Sequence, residues 1–124
     1  MKLHNTLSRT VEDFKPLQDN TVRFYTCGPT VYDHAHIGNL RAYIFADTLH
    51  RTLEAAGFTV QRVMNYTDID DKTVRRSKEK YPHDEPMVAL KKLTKEYIDL
   101  FLGDMKKLGN RIRARQLRAR AGIA

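Results

Sequence analysis

Residues 27–39 bring together the thiol of Cys27, the imidazoles of His34 and His36, the amide of Asn39 and the glycines Gly28 and Gly38. Thiolate and imidazole are metal ligands, imidazole N–H and amide NH2 donate hydrogen bonds to anionic oxygens, and glycine lets a ligand approach the backbone closely. A second polar run, Thr67-Asp68-Ile69-Asp70-Asp71-Lys72, offers a hydroxyl and three carboxylates. Such carboxylates suit a hard cation such as magnesium, helix capping, or a partner for Lys72 or Arg75. Each group also has a plain reading. An isolated cysteine at a strand end is ordinarily a small buried hydrophobe, a pair of loop histidines ordinarily binds nothing, and Thr67 can simply cap a helix.

The elements around these residues decide whether they can meet. Val22, Phe24 and Tyr25 are β-branched or aromatic and predict a strand over about 22–27 that breaks at Gly28-Pro29. From about Leu40 to Ala56, the residues Leu40, Ile44, Phe45, Leu49 and Leu53 recur at helical spacing, and Gly57 stands where a left-handed cap is wanted. Residues 58–66 alternate apolar and polar side chains and predict a second strand. A strand–helix–strand crossover makes the two strands parallel. Loops 27–39 and 67–71 then fall at one carboxyl edge of an α/β sheet, the place where ligands bind in such folds and where helix N-termini meet anions.

The rest of the chain frames this unit. The first residues, including Phe14 and Pro16, read as a loop or short edge strand. A short helix is predicted from Asp71 to Lys80, capped by Asp70 or Asp71. Pro86 suits the first turn of a long helix, whose stripe of Met87, Leu90, Leu93, Tyr97, Leu100, Phe101, Met105 and Leu108 reads as core. With 124 residues, 41% of them hydrophobic, one domain with a modest core is expected. No apolar run approaches the roughly 18 residues of a membrane span, and Met1 to Thr6 lacks the apolar stretch of a signal peptide. A cytoplasmic protein is the default expectation. The single cysteine excludes an internal disulfide. The formal charge of +7 is concentrated: residues 111–124 carry five arginines and no acid, and the remainder only +2. Any argument for phosphate binding from charge rests on that segment.

Three linked stretches, Tyr25-Thr26-Cys27-Gly28-Pro29-Thr30-Val31-Tyr32-Asp33, then His36-Ile37-Gly38-Asn39, then Asn65-Tyr66-Thr67-Asp68-Ile69-Asp70-Asp71-Lys72, resemble the N-terminal part of the cysteinyl-tRNA synthetases, over about residues 3–108. The resemblance implies the first half of a Rossmann-type (HUP-like, class I synthetase) nucleotide-binding domain, followed by the long helix. It further implies ATP, with magnesium, as a substrate that activates cysteine to an adenylate for transfer to tRNA(Cys). Carried over residue by residue, it assigns His36 and Asn39 to catalysis, and Pro29, Thr30, His36, Ile37, Gly38 and Asn39 to ATP. Gly28, Thr30 and Thr67 go to the substrate cysteine, and Cys27 becomes one ligand of a zinc ion that selects the substrate thiol. The family's His-Ile-Gly-His signature ends here in Asn39, which keeps a donor but cannot carry a positive charge.

Other parts that the family needs are not found: further zinc ligands, a Lys-Met-Ser-Lys-Ser-like loop and an anticodon-binding region. The resemblance therefore implies a catalytic fragment that is inactive by itself. Residues 1–108 form its domain part, and 109–124 are an Arg/Ala-rich tail expected to be disordered and unlike the family, as an out-of-frame end would be. The sheet edge left uncovered is expected to favour self-association. Two alternatives stand beside this: a non-catalytic module that binds nucleotide or RNA through the half-site and tail, and a fragment of the related mycothiol-pathway cysteine ligase.

Overall fold

The computed structural model describes residues 1–111 in full and 115–120 through their backbone. The chain opens with an antiparallel hairpin, β1 (Lys2–Asn5) on β2 (Thr10–Asp13), where an irregular segment or edge strand is expected from sequence. Arg9, in the connection, takes a positive φ of 59°.

A three-stranded parallel sheet follows, with order β3 (Thr21–Thr26), β4 (Thr59–Ile69), β5 (Arg115–Arg120). Helix α1 (Ile37–Ala55) crosses from β3 to β4; α2 (Asp71–Lys80) and α3 (Pro86–Lys107) lie between β4 and β5. Right-handed crossovers between strands added in one direction put α1 and α3 on the same face. The core agrees: Met64 and Tyr66, alternate residues of β4, pack with Tyr43 of α1 and with Leu93, Tyr97, Phe101 and Met105 of α3. Phe101 sits edge-on to both Tyr43 (5.0 Å) and Tyr66 (5.8 Å), a favourable aromatic geometry. Of the predicted α3 stripe, Leu90, Leu93, Tyr97, Phe101 and Met105 are buried, whereas Met87, Leu100 and Leu108 are exposed.

Element ends shift in informative ways. α1 begins three residues before Leu40 because His36 and Asn39 form a reciprocal cap. β4 runs on to Ile69, through residues expected to be loop. Gly57 has the positive φ, 90°, that the predicted C-terminal stop requires. The largest departure is the tail. Residues 115–120, expected to be disordered, form β5 and pair with β4 from Val63 to Ile69, with an irregularity between Thr67 and Ile69. β5 thus covers the outer edge of β4; β3 is paired on one side only among the described residues.

The turn that leads to β5 is tied to α1. Asp47 accepts from the backbone N–H of Arg111 (2.8 Å) and from Arg51 Nε (2.6 Å), Arg51 donates to the Gly109 carbonyl (2.7 Å), and Arg111 pairs with Glu54 (2.5 Å). No helix among the described residues is long and apolar enough to cross a membrane.

Candidate active site

The loop after β3 is laid along the end of β4 by two backbone hydrogen bonds, Thr67 N–H to the Pro29 carbonyl (3.0 Å) and Val31 N–H to the Thr67 carbonyl (3.1 Å). They make Thr30 and Thr67 partners in a parallel bridge. Gly28, Pro29, Thr30 and Thr67 are therefore brought together at the carboxyl edge of the sheet, and α1 starts a few residues beyond.

Gly28 lies directly on β4. A Cβ there would collide with the Asn65 carbonyl oxygen, so the close approach itself demands glycine. Its N–H donates to Asn65 Oδ1 (2.9 Å), which also takes a 2.6 Å hydrogen bond from Tyr25 Oη, while Asn65 Nδ2 donates to Thr67 Oγ1 (3.3 Å). Asn65 is buried and joins the two loops. Its sequence context alone assigns it no role. The available signal was an amide inside a predicted strand, a position where asparagine is depleted.

His36 and Asn39 act as a capping box at the start of α1. His36 Nδ1 accepts from Gly38 N–H (3.1 Å), and Asn39 Oδ1 accepts from His36 N–H (3.2 Å). The N–H groups of Asn39 and Leu40 turn back to the His36 carbonyl (2.9 and 3.1 Å). The helix start thus satisfies much of its own donor set, where sequence reasoning expected those N–H groups to face a ligand. The cap has a chemical consequence. A neutral imidazole accepting at Nδ1 carries its proton on Nε2, and an amide accepting at Oδ1 keeps its NH2 free. Both side chains are exposed, so each presents an N–H outward from a fixed base. Gly38 permits this fold-back, since a Cβ would stand 2.9 Å from the His36 ring.

The two histidines do different jobs. His34 packs edge-on against Tyr97 of α3, with ring centroids 5.6 Å apart, and tethers the loop to the helical layer. Nearby, Glu96 is held below the usual carboxylate range by Lys80 and by the Tyr81 hydroxyl. Lys72 Nζ lies 5.5 Å from the centre of the Tyr32 ring, and Arg75 meets Glu79 at 3.9 Å. The expected pairing of Lys72 or Arg75 with Asp68, Asp70 or Asp71 is not formed; Asp70 caps α2 through Lys72 N–H (2.8 Å). Cys27 is exposed and unpaired. Among the described residues no three His, Cys, Asp or Glu side chains gather to hold a metal ion, so these residues do not by themselves complete a zinc site. His34 and His36 do not join Cys27 in one.

Burial pushes the Tyr43 hydroxyl up to about 12, with Cys27 adding to the effect, and burial alone does the same to Tyr66. A separate apolar cavity of about 610 Å³ lies at the opposite end of β3, lined by Phe14, Leu17, Val22, Phe24, Leu49 and Leu53 among others. None of the crevice residues borders it.

Comparison with known proteins points to one family. Residues 13–124 match the model described as the tRNA synthetases class I (C) catalytic domain, a match that runs past Leu108, where the resemblance read from motifs was expected to end. A cysteine–tRNA ligase of Brachyspira hyodysenteriae is 51% identical over 106 residues, covering 86% of this chain and 21% of that protein. Cysteine–tRNA ligases of Solibacter usitatus and Methanococcus maripaludis are 49% and 47% identical over 108 residues, 87% of this chain and 22% and 21% of theirs. The chain spans about a fifth of the length of these curated relatives.

Proposed function

Because this chain belongs to the family of the class I (C) tRNA synthetase catalytic domain, we propose that it carries the cysteine- and ATP-binding half-site of a cysteine–tRNA ligase. In the complete reaction a cysteine carboxylate oxygen attacks the α-phosphorus of ATP; an O–P bond forms, the bond to the β-phosphate oxygen breaks, and pyrophosphate leaves. A hydroxyl of tRNA(Cys) then attacks the adenylate's carbonyl carbon; an ester bond forms, the acyl–phosphate bond breaks, and AMP leaves. Negative charge spreads over phosphoryl oxygens in the first step, so positioned donors matter more than a nucleophilic side chain.

The observation that carries this reading is the Thr30–Thr67 bridge, which seats the loop of Gly28, Pro29 and Thr30 beside Thr67 ahead of the His36/Asn39 cap. Gly28, Thr30 and Thr67 face the cysteine, while Pro29, Thr30, Ile37 and Gly38 line the nucleotide. His36 Nε2–H and the Asn39 NH2 group donate to phosphoryl oxygens. Magnesium would travel with ATP as its counterion. Cys27 offers a single thiolate, and since the described residues do not complete a zinc site, no step of this reading depends on one. Cytoplasmic location and self-association through the free side of β3 belong to the same reading; sedimentation over a concentration series tests the latter.

The direct test is nuclear magnetic resonance titration of the isotope-labelled chain with magnesium ATP and with L-cysteine under reducing conditions. Amide shifts should cluster at 27–39 with ATP and at 28–30 and 65–67 with cysteine. Shifts confined to the cavity at the other end of β3, or none, would overturn the reading.

A further inference from the structure

The cavity of about 610 Å³ at the far end of β3 takes no part in the proposed reaction, and its walls are of one character. Val22 and Phe24 of β3, Leu49 and Leu53 of α1, and the segment from Phe14 to Gln18 all border it. Phe14 packs edge-on against Phe58, with ring centroids 5.8 Å apart, which holds that segment in place. Leu17, fully exposed, stands at the opening. The volume falls in the range, roughly 300–1,000 Å³, of pockets that take a drug-sized ligand.

Charge at the rim is equally one-sided. Lys15 and Arg23 are the ionisable residues that border the cavity, and no acid does. Arg23 gives Nε to Gln61 Oε1 (3.1 Å) and Nη1 to Gln18 Oε1 (2.9 Å), both neutral amide oxygens. Those bonds orient the guanidinium without neutralising it. Among the described residues neither Lys15 nor Arg23 pairs with a carboxylate.

We propose that this cavity binds an anionic amphiphile, a carboxylate carried on an aliphatic body. The body lies against Val22, Phe24, Leu49 and Leu53, and the head meets Lys15 and Arg23. Burial of the tail drives association in rough proportion to the apolar area covered, while two uncompensated cations choose the sign of the head. Neither half suffices by itself, because an exposed charge pair alone is weak and an apolar tail alone has no preferred headgroup. A second copy of the chain is a poorer occupant: meeting this surface about a two-fold axis, it would bring the same two cations to the same rim.

The test is nuclear magnetic resonance titration of the isotope-labelled chain with monomeric octanoate, with octanol and octylamine as neutral and cationic counterparts of equal length. Amides of residues 14–18 and 21–24 should shift with octanoate, and those of 27–39 should not. Octanoate should bind about tenfold more tightly than octanol, the usual worth of one hydrogen bond to a charged group, and octylamine should bind more weakly than either. Lys15→Met combined with Arg23→Gln should bring octanoate down to the level of octanol, while unchanged octanol binding shows that the cavity is intact. Leu17→Glu, a change at a side chain that packs on nothing, should weaken octanoate and strengthen octylamine. Acetate, which has the head without the tail, should give no shift where octanoate saturates.

Equal binding of the three octyl compounds, or a preference for octanoate that survives the double variant, would overturn the proposal. So would shifts that appear only where octanoate forms micelles, which mark an adventitious additive only. If the cavity amides move as the chain itself is concentrated without ligand, a second copy covers the surface and the proposal falls. The ATP and cysteine titrations are read at other amides, so either result leaves the other standing.

Discussion

Asp47 on α1 and Arg111, 64 positions later, are joined by a 2.8 Å hydrogen bond from the Arg111 backbone N–H to the Asp47 carboxylate. The bond ties the residues that follow α3 back to α1. Asp47 also takes Arg51 Nε, and the buried Arg62 guanidinium lies close enough to act on its titration. Burial opposes ionisation of Asp47, but the hydrogen bonds from Arg51 and Arg111 and the charges of Arg51 and Arg62 win and hold it below the usual carboxylate range. A depressed pKa stabilises the fold above the unfolded-state value and loses that contribution as pH falls through the folded-state value. Asp47→Ala should therefore cost about 1.5–3 kcal/mol at neutral pH, the range for hydrogen bonds to charged groups, and much less in acid. Urea unfolding at both pH values checks it, and hydrogen exchange at β5 should rise in the variant. A loss under about 0.5 kcal/mol, the range of ordinary surface changes, would show that α1 does not anchor the strand.

At the alkaline end the sign reverses. Tyr43 and Tyr66 have hydroxyls raised to about 12, so the folded state holds those protons more tightly than the unfolded one. Their contribution is complete below the ordinary tyrosine value near 10 and is lost as pH rises toward about 12. Tyrosinate absorbance should rise in two phases, the later coinciding with loss of near-ultraviolet circular dichroism. A single phase, complete while the fold persists, would contradict the burial argument.

Gly28→Ala isolates the contact between the loop and β4. The new methyl meets a backbone carbonyl, which cannot swing away as a flexible side chain can. Overpacking of this kind costs about 1–3 kcal/mol, and the displaced loop should lose the Gly28–Asn65 bond. Thermal unfolding gives the first number and the Gly28 amide exchange rate the second. Unchanged stability and protection would mean that loop and strand are not in contact.

The crossover from β3 through α1 to β4 was legible because its determinants are local: apolar periodicity, the Gly28-Pro29 break and the Gly57 stop. The meeting of residues 27–30 with Thr67 followed from the parallel pairing that a strand–helix–strand crossover imposes. What could not be read was pairwise. That His36 spends Nδ1 on Gly38 and Asn39 spends its oxygen on His36 depends on backbone torsions, and a donor count by residue type does not contain them. Asn65 was passed over because its three partners lie at positions 25, 28 and 67, none of them adjacent in sequence. The β5 strand was unreadable for another reason: its alternation rests on Leu117 and Ala119 alone among three arginines, too weak a period-2 signal to predict a strand, and its pairing is supplied by the open edge of β4.

The His36 cap makes a last prediction that separates folding from ligand binding. His36 does two things with one ring: Nδ1 accepts from Gly38 N–H, and Nε2–H faces solvent. Asparagine is among the best capping residues and carries its own acceptor at short reach, so His36→Asn should preserve α1 to within a few tenths of a kcal/mol. The same change replaces the imidazole Nε2–H with an amide N–H of shorter reach into the crevice. His36→Ala removes both, and loss of a cap typically costs about 1 kcal/mol. Magnesium ATP binding, expected near the millimolar end of the affinity scale, should therefore weaken in both variants, whereas helix stability should fall only in the alanine form. Paired thermal unfolding and nucleotide titration give the two readouts. If His36→Asn binds ATP like the native chain, His36 is a cap and nothing more, and the nucleotide half of the proposed site must be sought elsewhere on the sheet edge.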